Sequence, residues 1–154
     1  MNAVYLDSSA IVKRYVDEMG SNWLKAFIAN NDQTLLFTSR MTIVEVTSAF
    51  ARRKRERSLS QQDFDALESA FRSDSQIAYH IIPPTTEIIN RACELVSHHP
   101  LRAYDATHLA SAMSAHEFLS LEGIASMAFL SADDRLNSAA AIEGLLTDNP
   151  NQYP

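Results

Sequence analysis

Short apolar runs alternate with longer stretches whose apolar positions recur every three or four residues. The short runs predict strands and the longer ones helices. Ala3 to Leu6 is a strand, followed by helical Ser8 to Val16, and Trp23 to Ala29 continues helically. Leu35-Leu36-Phe37 is a second strand, and Ser39 can cap a long helix from Arg40 to about Arg55. Ser60 and Asp63 are spaced as a capping box for a helix to about Arg72. Ile77 to Ile82 is a third strand closed by Pro83-Pro84, and Thr85 to about Ser97 is helical. Pro100 precedes a helix from about Ala103 to Leu119. Met127 to Leu130 is a fourth strand, Asp134 to about Ile142 a helix, and Leu145-Leu146 a short fifth strand. Strands alternating with helices predict a parallel sheet covered on both faces, with ligands beyond the carboxyl ends of its strands.

The 154 residues show no repeat, low-complexity tract or linker, and read as a single domain over 1–154. With 46% hydrophobic and 21% charged residues, the chain has an ordinary globular composition. Only Gly20, Gly123 and Gly144 are glycine, which excludes both glycine-rich phosphate cradles. Cys93 is the one cysteine, so the sequence spells neither an intrachain disulfide nor a CxxC site. No run of eighteen apolar residues predicts a membrane span. Met1 to Asp7 lacks basic residues and meets an acid early, unlike a signal peptide, so the expected location is the cytoplasm.

The formal net charge is −6, from 13 basic and 19 acidic residues. That balance disfavours nucleic-acid binding by a bulk positive field. It leaves open a site whose acids gather around bound cations. Arg52 to Arg57 is a basic run with two readings: a solvated helix end favoured by the dipole, or a contact for substrate phosphates or an acidic partner.

Asp7 follows the first strand and Asp133 lies just past the fourth, both at the carboxyl edge of the expected sheet. Asp105 opens a helix rich in alanine and leucine. All three acids also suit helix N-termini, where a carboxylate accepts from free amides. Glu45 sits mid-helix among Ile43, Val44 and Val46, where a charge needs compensation by a metal or by a salt bridge, to Arg40 or Arg102 for example. His98, His99 and His108 spell no metal motif; His108, three residues from Asp105, either faces the site or packs as an ordinary helix residue. Ser8 and Ser9 lack a GxSxG elbow. Phe64, Leu67 and Phe71 form an apolar stripe, read as core or as a partner face.

Four segments taken together resemble the PIN-domain family: Tyr5-Leu6-Asp7-Ser8-Ser9-Ala10-Ile11-Val12-Lys13, Ile43-Val44-Glu45-Val46, Leu101-Arg102-Ala103-Tyr104-Asp105-Ala106-Thr107-His108-Leu109-Ala110, and Phe129-Leu130-Ser131-Ala132-Asp133-Asp134-Arg135-Leu136. They occur in family order across Val4 to about Leu146, and the nearest branch is the VapC-like toxins of type II toxin–antitoxin modules. The resemblance implies a three-layer α/β/α sandwich around a mainly parallel sheet. It implies a Mg²⁺-dependent endoribonuclease, with Mn²⁺ as a substitute ion and Asp7, Glu45, Asp105 and Asp133 as catalytic and metal-binding acids. Ser9 and Ser131 would support them. It implies an RNA substrate, a cognate antitoxin and a homodimer. Asp134 competes with Asp133 for the fourth position, and the Ser-x-Asp spacing favours Asp133. The all-oxygen donor set suits Mg²⁺ or Mn²⁺ better than zinc. A catalytically inactive PIN-like binding module is the alternative. A receiver or Asp-x-Asp phosphatase fails because Ser8-Ser9 follow Asp7.

Overall fold

The computed structural model describes residues 3–31, 33–124 and 126–153. Met1 and Asn2, part of the opening segment read above, lie outside the described residues. The elements run β1 (Ala3–Leu6), α1 (Ser8–Tyr15), α2 (Ser21–Ala29), β2 (Leu35–Ser39), α3 (Met41–Arg55), α4 (Gln61–Ile77) and β3 (His80–Ile82). They continue with α5 (Thr86–His98), α6 (Ala103–Leu121), β4 (Met127–Leu130), α7 (Asp134–Ile142), β5 (Leu146–Asp148) and a 3-10 turn at Pro150–Gln152. All strand pairings are parallel, and the sheet order is β3-β2-β1-β4-β5.

Pleating divides the core. Ala3 and Tyr5 of β1, with Met127 and Phe129 of β4, pack against α5, α6 and α7. Val4 and Leu6, with Ala128 and Leu130, pack against α1 to α4. Successive side chains of a strand point to opposite faces, so a four-residue strand buried along its whole length must be apolar throughout. β1 is such a strand, and every residue of it is fully buried. The α/β sandwich expected from the alternation is therefore the fold that forms.

The strand order reverses between β1 and β4. From β1 the chain builds outward to β2 and β3, then crosses back to β4 and β5. The crossovers leave for opposite faces on the two sides of that reversal, which opens a crevice at the carboxyl ends of β1 and β4. Asp7 and Asp133 lie just past those two ends.

Two expectations at the edges change. The strand expected over Ile77 to Ile82 is only His80–Ile82, because α4 runs on to Ile77 and buries Phe71, with Phe64 and Leu67 half-buried beside it. The stripe is thus core. The fifth strand sits at Leu146–Asp148, one residue later than Leu145-Leu146. The capping box of Ser60 and Asp63 forms, with the Asp63 amide donating to Ser60 Oγ at 3.0 Å. Ser39 Oγ accepts from the Met41 amide at 3.2 Å, and α3 begins there. Gly20 is a true glycine position: its φ is +79°, and a Cβ there would lie 2.2 Å from the Pro150 carbonyl oxygen.

Candidate active site

Asp7 caps α1 from the end of β1. Its amide donates to the Leu130 carbonyl at 3.1 Å, extending the β1–β4 ladder by one rung. Its Oδ1 accepts from the Ala10 amide at 2.8 Å, and its Oδ2 accepts from Ser131 Oγ at 2.7 Å. Ser9 Oγ lies 2.7 and 2.9 Å from the two oxygens. Capping and site chemistry therefore coexist on one carboxylate.

The two serines bind the first and last motifs into one unit. Ser9 Oγ accepts from the Ala132 amide at 2.8 Å, and Ser131 Oγ accepts from the Asp133 amide at 3.0 Å. Ser131 is fully buried. Every donor to Asp7 is neutral, and among the described residues no lysine or arginine pairs with it. Burial pushes its carboxyl above the usual range, against a smaller downward pull from nearby His108. Among the described residues, Asp7 is thus a carboxylate at only 4% exposure with no lysine or arginine partner.

Asp105 lies in the first turn of α6 and accepts from the Arg102 amide at 3.4 Å. Burial raises its carboxyl too, and the negative charge of Asp133 adds to the rise. Asp133 caps α7, accepting from the Arg135 amide at 2.8 Å and the Leu136 amide at 3.3 Å. Asp134 turns elsewhere: its Oδ1 accepts from Asn149 Nδ2 at 2.6 Å, beside the 3-10 turn.

Glu45 differs from expectation. Neither Arg40 nor Arg102 pairs with it among the described residues; its Oε2 lies 2.6 Å from His108 Nε2. His108 is buried to 1% exposure, and its Nδ1 lies 2.9 Å from the Tyr5 hydroxyl. A carboxylate can only accept, so Nε2 carries a proton and donates it to Glu45. Tyr5 in turn stacks on Phe129, ring centroids 5.5 Å apart. The chain Tyr5–His108–Glu45 runs from the core to the rim. The ordinary helix-residue reading of His108 is half right, since the ring is packed and also faces the site. Its place one turn past Asp105 was the available signal. Tyr5 carried one as well, standing two residues before Asp7 on a strand and so on the same side.

Asp7 and Asp133 thus lie just past the carboxyl ends of β1 and β4, Asp105 senses the charge of Asp133, and Glu45 pairs with His108. The four acids do not yet enclose an ion: among the described residues, no three carboxylate, histidine or cysteine side chains stand together closely enough to hold a metal. The fit is one of charge and donor type. Two carboxyls, Asp7 and Asp105, are raised chiefly by burial, and the ligand atoms the four acids offer are all oxygen. A hard divalent cation relieves such crowding and takes such ligands.

Comparison with known proteins gives concordant matches. A family model described as PIN domain matches residues 4–142. Ribonuclease VapC45 and Ribonuclease VapC49 of Mycobacterium tuberculosis are each 33% identical over 114 residues, which covers 74% of this chain and 77% of theirs. The solved structure of FitAcB from Neisseria gonorrhoeae superposes with a TM-score of 0.65 at 14% identity, covering 96% of this chain and 97% of that one. VapBC2 from Rickettsia felis, bound to a DNA fragment from their promoter, gives 0.63 at 12% identity over 96% and 98%. At such identities the superpositions bear on the fold alone. No helix among the described residues is long and apolar enough to cross a membrane.

Proposed function

The chain belongs to the PIN domain family, and from that premise we propose that it is a divalent-metal-dependent endoribonuclease, the toxin of a type II toxin–antitoxin module. The names of the 33% identical relatives support the ribonuclease. The single observation that carries the chemistry is Asp7: a buried carboxylate with raised pKa and only neutral donors, at the strand-order reversal. The cap uses Oδ1, while the bond from Ser131 to Oδ2 fixes how the carboxylate faces the site.

In this reading Asp7, Asp105 and Asp133 hold Mg²⁺ or Mn²⁺, and Glu45 acts as a further ligand or holds a water. When bound, the ion screens the phosphodiester charge and acidifies water at neutral pH. Ser9 and Ser131 fix Asp7 in one rotamer and draw the Asp133 loop onto it. His108, braced by Tyr5, holds the Glu45 carboxylate turned to the rim. Protonating Asp7 or Asp105 removes a ligand, so cleavage rises with pH as these raised carboxyls ionise. The proposal takes residues 1–154 as one PIN-like domain, acting in the cytoplasm on RNA, with a cognate antitoxin and a second copy of the chain as protein partners.

The test is direct. Purified protein should cut RNA with Mg²⁺ or Mn²⁺, EDTA should stop it, and Asp7→Asn should abolish cutting while the circular dichroism spectrum is unchanged. Protein that binds RNA but never cuts it, whatever the cation, would instead be an inactive binding module.

A further inference from the structure

Beside the acid rim lies an open groove of about 370 Å³ lined by Ser8, Glu45, Ser48, Arg52, Arg55 and Tyr104. Four of these residues form one stripe on α3. Glu45, Ser48, Arg52 and Arg55 are spaced 3, 4 and 3 residues apart, which places them on a single helix face. At 1.5 Å rise per residue, Arg52 stands about 10 Å and Arg55 about 15 Å along the axis from Glu45. Arg52 also lines an adjoining hollow of about 350 Å³ that reaches Ser9 and Ala132.

The basic run divides by partner. Arg53 pairs with Glu18, while Lys54 donates to Gln61 and sits 4.6 Å over the Phe64 ring. Arg57 lies past the end of the helix. Arg52 and Arg55 have no acidic partner among the described residues, in a chain with six more acids than bases. The helix dipole favours cations throughout the last turn and gives no reason for the two on the Glu45 face to stay unpaired. Across the groove, Tyr104 is 51% exposed and directly precedes Asp105. Two free guanidiniums and an open aromatic ring beside a phosphodiester site are the elements of single-strand recognition.

We propose that this groove seats the single-stranded RNA flanking the cleaved bond, with Arg52 and Arg55 each holding a backbone phosphate and Tyr104 stacking on an unpaired base. The assignment rests on the ribonuclease reading above and adds to it a strand path and the residues that hold the strand. A base within a duplex offers Tyr104 no free face.

The test uses Asp7→Asn protein with a fluorescently labelled single-stranded RNA, followed by anisotropy over a KCl series in Mg²⁺. Adding Arg52→Ala and Arg55→Ala should flatten the slope of log K against log[KCl] by about 1.4, two contacts at roughly 0.7 each. Adding Tyr104→Ala should weaken binding roughly 5- to 150-fold at every salt concentration with the slope unchanged, the loss of about 1–3 kcal/mol of stacking. The corresponding duplex should be indifferent to Tyr104→Ala. In otherwise wild-type enzyme the same slope change should appear in kcat/KM. An unchanged slope in both assays, with RNA still cut, overturns the groove assignment and leaves the nuclease standing. If the arginine changes abolish binding of the antitoxin and leave the RNA slope unchanged, the groove belongs to the protein partner. If wild-type protein neither binds nor cuts RNA, the nuclease reading itself falls.

Discussion

Removing the charge of Asp7 should separate what the carboxylate does for the fold from what it does for a cation. Asparagine keeps the shape and still offers an oxygen to the Ala10 amide, which preserves the α1 cap. The folded-state pKa of Asp7 is raised, chiefly by burial. The ionised carboxylate therefore costs stability above that pKa, and the cost fades as the pH falls through it. Asp7→Asn removes the cost at pH 7. Against this, the bonds from Ala10 and Ser9 to Oδ1 become neutral ones, each weaker by about 1 kcal/mol at most, and the amide nitrogen in place of Oδ2 donates to Ser131 Oγ instead of accepting from it. The two changes oppose each other, so without metal the variant should melt within a few degrees of wild type. The metal arm is larger. At Mn²⁺ one hundredfold above its dissociation constant, wild type gains about 2.7 kcal/mol. For a chain of this length that is roughly 5–10 °C in melting temperature. The gain should shrink towards acid pH, where protons hold Asp7 and Asp105. Calorimetry of both proteins with saturating Mn²⁺ and with EDTA decides the matter. Equal Mn²⁺ shifts in wild type and Asp7→Asn would refute the reasoning, since the charge would then be irrelevant to the ion.

His108→Ala strands the Tyr5 hydroxyl and the Glu45 carboxylate and opens a cavity; it should cost roughly 3–5 kcal/mol in urea denaturation, and a loss below 1 kcal/mol would show the chain to be ornamental. Asp133→Asn should slow RNA cleavage by more than about 100-fold, beyond the effect of losing an outer partner, whereas Asp134→Asn, which loses only the Asn149 contact, should leave the rate within a few-fold in the same gel assay. Gly20→Ala forces a left-handed φ and a contact with Pro150, and should lower stability by more than about 3 kcal/mol, read as a drop of at least about 6 °C in melting temperature.

Much of this was legible in the chain. The alternation of four-residue apolar runs with amphipathic stretches is itself the signature of a buried parallel sheet, and Ala3–Leu6 and Met127–Leu130 fall where the pattern puts them. The place of Asp7 just past β1 follows from the same register. Failures came where the deciding partner is remote in sequence. Ile77 looks like strand because it is β-branched, but α4 carries through it once Phe71 is buried against the sheet, and Ile77 itself stays 82% exposed. Glu45 left a metal or a salt bridge to Arg40 or Arg102 open; the partner it meets is His108, 63 residues on. Tyr5 meets His108 across 103 residues, a pairing that no local spacing encodes.

The hydroxyl of Ser131 reaches back 124 residues to Asp7. At about 5–20 residues per second of synthesis, that separation amounts to roughly 6–25 s. For that interval β1 has no β4 beside it, and Asp7 lacks the donor to Oδ2 and the loop that brings Asp133. A nascent chain released early, or a fragment lacking the last motif, holds three of the four acids but cannot assemble them. On the proposed reading, connectivity withholds the site until the last motif has been made and β4 has joined the sheet.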